Sequence, residues 1–103
     1  MVSMVVRLKI QPGKEAEADE AARTTAATVK ASEPGVVTYV FFRSRQDPTE
    51  MTIIEGYKDQ AAFDAHMKQP HVLQFMARMP QIFDMAAVKA GSQDRVAGFT
   101  RES

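Results

Sequence analysis

The stretch Val36–Tyr57, VVTYVFFRSRQDPTEMTIIEGY, decides how this chain folds. Its opening run, Val36 to Arg43, is β-branched and aromatic, which suits a pleated strand. Val36, Thr38, Val40 and Phe42 share one face, and Val37, Tyr39, Phe41 and Arg43 the other. Both faces are apolar, so this strand calls for cover on both sides. Gln46-Asp47-Pro48-Thr49 has turn chemistry. Glu50 to Tyr57 then alternates again, with Met51, Ile53, Glu55 and Tyr57 on one face and Thr52, Ile54 and Gly56 on the other. Two strands joined by so short a turn predict an antiparallel hairpin.

Working outward, the hairpin is flanked by helical segments, and these by further strands. Upstream, Lys14 to Ala31 is rich in Ala and Glu, with acids in its first turns where the helix dipole favours them. Its apolar stripe is small: Ala18, Ala21, Ala22, Ala26 and Val29. It stops before Pro34-Gly35. Residues 2 to 10, VSMVVRLKI, have the period of a strand, with Met4, Val6, Leu8 and Ile10 on one face. Gln11-Pro12-Gly13 breaks that strand. Downstream, Asp59 is an N-cap for a helix from Gln60 to Lys68. Pro70 opens a second short helix, which Pro80 is expected to end near Met79. Met85 to Ala90 reads as a weaker fourth strand, and residues 91–103 as a polar tail that docks on the partner subunit if it is ordered.

The order β-α-β-β-α-β is the split βαβ of ferredoxin-like folds. It is an α+β class with a four-stranded antiparallel sheet and helices on one face. One domain, residues 1–90, fits the 103-residue length. The uncovered sheet face and the small core together predict a symmetric homodimer, sheet against sheet.

Charge excludes some roles. Thirteen basic and thirteen acidic residues cancel, with seven of each sign in residues 1–50, so there is no basic footprint for nucleic acid. The absence of cysteine removes disulfides, thiol nucleophiles and zinc-thiolate sites. No apolar run is long enough for a membrane span, and the N-terminal MVSMVVRLKI is too short and too early charged for a signal peptide. A cytoplasmic location is the expectation.

The only histidines, His66 and His71, lie in AAFDAHMKQPHVLQFM, residues 61 to 76. Their spacing of five, split by Pro70, does not match the i,i+4 pair of a helical zinc site, so no metal is expected, with Asp64 and Glu55 the remaining carboxylate candidates. His66 shares an apolar face with Ala62 and Phe63 and so points inward. It reads either as a buried histidine bonded to a backbone group or carboxylate, or as an acid–base group in a pocket. His71 sits in a first helical turn, where the dipole disfavours an imidazolium. Local packing near Phe75 is its simpler role, and catalysis its alternative. Glu55, on a covered strand face, needs a partner. Arg7, Lys9 or Arg43 across the sheet could supply one, or Glu55 could act as a base near a pocket. Tyr39, Phe42, Tyr57, Phe63, Phe75, Met76, Met79 and Phe83 are candidate pocket lining for an apolar ring, though most belong to the core.

The segments IQPGKE (10–15), EPGVVTY (33–39), IIEGY (53–57) and AAFDAHMKQPH (61–71) resemble the antibiotic biosynthesis monooxygenase domain family. The resemblance spans roughly residues 2–90 and implies the ferredoxin-like dimer known as a dimeric α/β barrel. It also implies a histidine in the pocket wall at His66. Family activities range over cofactor-independent quinol and anthrone monooxygenases, haem-degrading enzymes and an isomerase of a phosphorylated sugar. Haem-degrading relatives carry an asparagine on the first strand, a tryptophan on the first short helix and a haem-binding histidine on the second. By alignment those positions hold Val6, His66 and Phe75, so haem is not expected. The expectation is a cofactor-independent monooxygenase that oxidises a small quinol, phenol or anthrone-like ring with dioxygen. His66 would be the base, and His71, Glu55 and Tyr57 would support it. The alternatives are a non-oxidative enzyme such as an isomerase and a non-catalytic dimeric small-molecule binder.

Overall fold

The structure, a computed structural model, describes residues 1–101. Strands β1 (Val2–Lys9), β2 (Val36–Arg43), β3 (Glu50–Tyr57) and β4 (Lys89–Asp94) form one sheet in the order β2-β3-β1-β4. All three pairings are antiparallel. Helices α1 (Glu15–Ser32), α2 (Gln60–His66) and α3 (Pro70–Ile82) complete the fold. The α+β, ferredoxin-like class is as the hydrophobic periods predict.

The register puts Met4, Val6 and Leu8 of β1 opposite Glu55, Ile53 and Met51 of β3, and Tyr39 and Phe41 of β2 opposite Glu55 and Ile53. This is the helix-covered face. α1 lays Ala18, Ala21, Ala22, Thr25 and Val29 against it, with Thr25 in the place expected for Ala26. Small side chains let the helix axis approach the sheet closely. Larger residues from the end of α3 fill the space beyond: Phe75, Ile82 and Phe83 pack on Leu8, Ile10 and Met51. Each large apolar side chain so buried stabilises the fold by about 1.5–3 kcal/mol.

Three local readings are corrected. Pro80 does not end α3, which continues to Ile82. Pro80 removes one backbone donor, but the last turn is held from outside. The Gln11 side-chain amide donates to Pro80 O at 2.8 Å and to Phe83 O at 3.0 Å, and the Gln11 N–H to Ile82 O at 2.8 Å. The fourth strand lies later than expected. Met85–Ala87 is a 3₁₀ turn capped by the Asp84 carboxylate, and the strand runs Lys89–Asp94. Its sequence, KAGSQD, has no apolar alternation; it forms because β1 offers a second row of free backbone groups. Residues 91–94 of the expected tail are therefore strand, and the last two tail positions lie outside the described residues. Finally, a bulge between Val36 and Thr38 resets the alternation at the start of β2. It leaves Val37 as the extra residue, 56% exposed.

The opposite sheet face carries Val40, Phe42 and Ile54 uncovered within the single chain. Among the described residues no helix is long and apolar enough to cross a membrane.

Candidate active site

Three elements meet at one carboxylate. Glu33 caps the C-terminus of α1, its N–H bonded to Val29 O at 2.9 Å, and Pro34 prevents another helical turn. Gly35 then brings the loop onto α2, where a Cβ would lie 2.8 Å from Ala62 Cβ. With the loop pinned there, the Glu33 side chain turns inward and is buried.

His66 ends α2, whose start is fixed by Asp59 accepting from the Ala62 N–H at 2.8 Å. His66 is only 2% exposed. Its Nδ1 donates to Glu33 Oε1 at 2.9 Å and stands 3.2 Å from Oε2. Pro70 starts α3, and the next residue, His71, donates through Nε2 to Glu33 Oε2 at 2.6 Å. A carboxylate only accepts, so both ring nitrogens that face it carry hydrogens. In a neutral His66 ring, Nε2 is then left with its lone pair.

A second carboxylate lies beside the first. Glu55, at the middle of the sheet, is buried and accepts from the Tyr57 hydroxyl. Burial pushes its carboxyl above the ordinary range, opposed by the Tyr57 hydrogen bond and, when the ring is protonated, by the charge of His66. Burial also raises the Tyr57 hydroxyl, and its bond to Glu55 adds to that rise. The Tyr39 hydroxyl is raised by burial first and then by the charges of Glu55 and Glu33. Both tyrosines are thus held as neutral phenols able to donate. Their rings flank His66, with centroids 5.3 Å away for Tyr39 and 5.2 Å for Tyr57, and Phe63 packs edge-on to Tyr57 at 5.1 Å. His66 Nε2, Glu55 Oε2 and the Tyr39 hydroxyl make no hydrogen bond to a described residue, yet none is a sealed, unpartnered atom. Each keeps unused hydrogen-bonding capacity.

The structure thus brings together His66, His71, Glu55, Tyr39, Tyr57 and Phe63. Five other candidates stand elsewhere, of which Met79 is partly buried against the core cluster. Phe42 lies on the outer sheet face, 53% exposed, because alternation turns it away from Phe41. Met76 is 44% exposed because its helical neighbour Phe75 takes the inward position. Phe75 and Phe83 pack together in the core, their centroids 6.3 Å apart. Two expected roles also change. His71 shares the Glu33 carboxylate rather than merely packing near Phe75. Glu55 is partnered by Tyr57 and not by a cation, since Lys9 pairs with Asp47 and Arg43 with Asp19. Recesses meet the cluster at Tyr39 and at Glu33. A recess of about 360 Å³ and a groove of about 860 Å³ both reach Tyr39, a smaller one of about 150 Å³ reaches Glu33, and none is lined by His66 itself.

Glu33 was not among the sequence candidates. Its signal was local and small: an acid at the C-terminal end of a helix opposes the dipole, so it needs a compensating partner. Among the described residues, no group of three or more His, Cys, Asp or Glu side chains is placed to hold a metal ion.

A buried carboxylate–histidine–tyrosine cluster between a four-stranded sheet and two short helices is the frame in which known proteins can be compared. The sequence matches the antibiotic biosynthesis monooxygenase family over residues 1–78. The chain belongs to this family. The match runs from β1 into α3 and includes every member of the cluster. A Caulobacter crescentus protein, provisionally named an antibiotic biosynthesis monooxygenase, has 29% identity and a TM-score of 0.85, over 93% of this chain and 90% of that one. A Bacteroides thetaiotaomicron protein of the same provisional name shares the fold, with a TM-score of 0.86 and 20% identity over 99% of this chain and 95% of that one. An uncharacterised Synechocystis protein is 25% identical over 75 residues, 73% of this chain. This chain spans about half the length of that relative, 50%.

Proposed function

We propose that this chain is a cofactor-independent monooxygenase that oxidises a small quinol, phenol or anthrone-like ring with dioxygen. The observation that carries the reading is the Glu33–His66 pair. Glu33 holds the Nδ1–H at 2.9 Å and leaves Nε2 as an acceptor beside Tyr39 and Tyr57. A histidine oriented in this way by a carboxylate is suited to act as a general base.

In the proposed reaction, His66 Nε2 takes the acidic proton of the bound substrate, leaving an electron-rich carbanion or phenolate. This anion gives one electron to dioxygen, and the resulting radical pair combines to a carbon–oxygen bond. The peroxide takes up the proton and loses water, which leaves a carbonyl on the ring. One oxygen atom ends in product and one in water, and the substrate supplies all four electrons. Tyr39 and Glu55, whose carboxyl burial favours in its protonated form, donate hydrogen bonds to substrate oxygens. The aromatic walls orient the ring and exclude water. The active form is proposed to be a homodimer joined through the uncovered sheet face.

Oxygen uptake with quinols and anthrones tests this reading. Wild type should exceed autoxidation, and His66→Ala should return the rate to that background. Equal rates for the two proteins would refute it.

The near-complete burial of His66 favours one rival, a small-molecule binder in which the cluster only ties α1 to α2 and α3. That rival predicts ligand binding with no oxygen uptake, and a His66→Ala variant that loses stability alone.

A further inference from the structure

We infer that the recess between α1 and β2 binds the acid group of an aromatic carboxylate, whose ring lies along Phe41 and Tyr39. The recess, about 360 Å³, is within the range of small-ligand sites. Tyr39 and Phe41 give it an aromatic wall, Val40 and Phe42 reach it from the outer sheet face proposed as the dimer interface, and Ala22 gives a small facing side chain that leaves room for a flat ring. Its two cations are Arg23 and Arg43 and its one acid is Asp19, so the lining has an excess of one positive charge.

Arg23 is exposed, and Arg43 is only partly paired. Arg23 makes no ion pair with a described residue. Arg43 uses Nη2 for the Asp19 carboxylate and for Glu15 O at 3.1 Å, while its Nε is buried with no partner at all. A buried guanidinium donor without an acceptor is rare in a folded protein, so Arg43 keeps hydrogen-bonding capacity that Asp19 and Glu15 do not use. A planar carboxylate is the acceptor that best matches a guanidinium fork. Tyr39 and Arg43 lie on the same strand face about 13 Å apart at ordinary strand rise. That distance suits a fused bicyclic acid with its carboxylate toward Arg43 and its ring toward Tyr39. The Tyr39 ring also contacts the His66 ring, so the acid would deliver its far ring toward the proposed base. This last step rests on the monooxygenase reading; the binding does not.

The test uses 2-naphthoate and its neutral amide, 2-naphthamide, which bind without being oxidised. Calorimetric titration of wild type should show the acid bound about tenfold more tightly than the amide, the worth of one charge-assisted hydrogen bond. Arg23→Gln should weaken the acid several-fold and leave the amide unchanged. Asp19→Asn, which frees Arg43 of its present counter-ion, should tighten the acid. A gain of affinity cannot come from damaged folding. Equal affinity for acid and amide, no binding of either, or an Asp19→Asn variant that binds the acid no better overturns the inference. Oxygen uptake with neutral quinols is scored separately, so either reading can fail while the other stands.

Discussion

The Glu33 carboxylate accepts the His66 Nδ1–H at 2.9 Å, from a position 33 residues earlier in the chain. With the second oxygen it holds His71, so one side chain joins the end of α1 to the end of α2 and the start of α3. A carboxylate can serve two N–H donors at once. Its amide counterpart has one oxygen to offer and presents hydrogens elsewhere.

Glu33→Gln should therefore leave one imidazole N–H facing an amide hydrogen. We expect a loss of about 1–3 kcal/mol in urea denaturation, with a shift in the ¹⁵N spectrum of His66 as its tautomer is released. Oxygen uptake should fall with it. An unchanged spectrum would remove Glu33 from its orienting role.

Tyr57→Phe deletes the donor to the buried Glu55 carboxylate. This hydrogen bond favours the ionised form, so the cost, about 1–3 kcal/mol, should grow as pH rises through the raised folded value of Glu55. Denaturation curves of both proteins on either side of that value measure it.

The Glu55 carboxyl itself is raised above its unfolded value by burial. Folding therefore favours its protonated form. The associated stability is fully present below the unfolded value and is lost as pH rises through the folded one. Glu55→Gln, which keeps the shape without the charge, should be less sensitive to pH over that interval. Its stability relative to wild type should improve from acid toward neutral pH. Parallel melting curves across that range give the comparison, and parallel slopes would count against the raised carboxyl.

Gly35 faces Ala62 with no room for a methyl group, 2.8 Å from Cβ to Cβ. Gly35→Ala should cost about 1–3 kcal/mol through overpacking and draw Glu33 away from His66. Adding Ala62→Gly should recover much of that loss, because the second change removes the clashing methyl. A double-mutant cycle with no coupling would show that the contact is not the cause.

Phe42 stands on the uncovered sheet face, next to Val40 and Ile54. If that face joins two copies, Phe42→Lys places an unpaired charge inside the interface. Light scattering at micromolar concentration should then give a dimer for wild type and a monomer for the variant. A wild-type monomer would overturn the homodimer.

Much of the fold could be read from short-range pattern. The alternation in Thr38–Arg43, Glu50–Tyr57 and Val2–Lys9, the Asp59 cap and the Pro70 start are each set by residues within a few positions of one another, and each is found where expected. Lys89–Asp94 could not be read, because its pairing comes from the free edge of β1 and its own side chains carry no periodicity. Pro80 was misread for a similar reason: the Gln11 groups that hold the last turn of α3 come from the other end of the chain.

The site divides along the same line. Local periods alone turn His66 inward on α2 and put Glu55 and Tyr57 on one buried strand face among aromatic rings, because side-chain direction follows from the helical and strand periods. Packing between elements is what makes Glu33 the partner of both histidines and gives Glu55 the Tyr57 hydroxyl instead of a cation. Those are contacts between elements, and their geometry depends on how α1, the sheet and α3 pack, which no local period encodes.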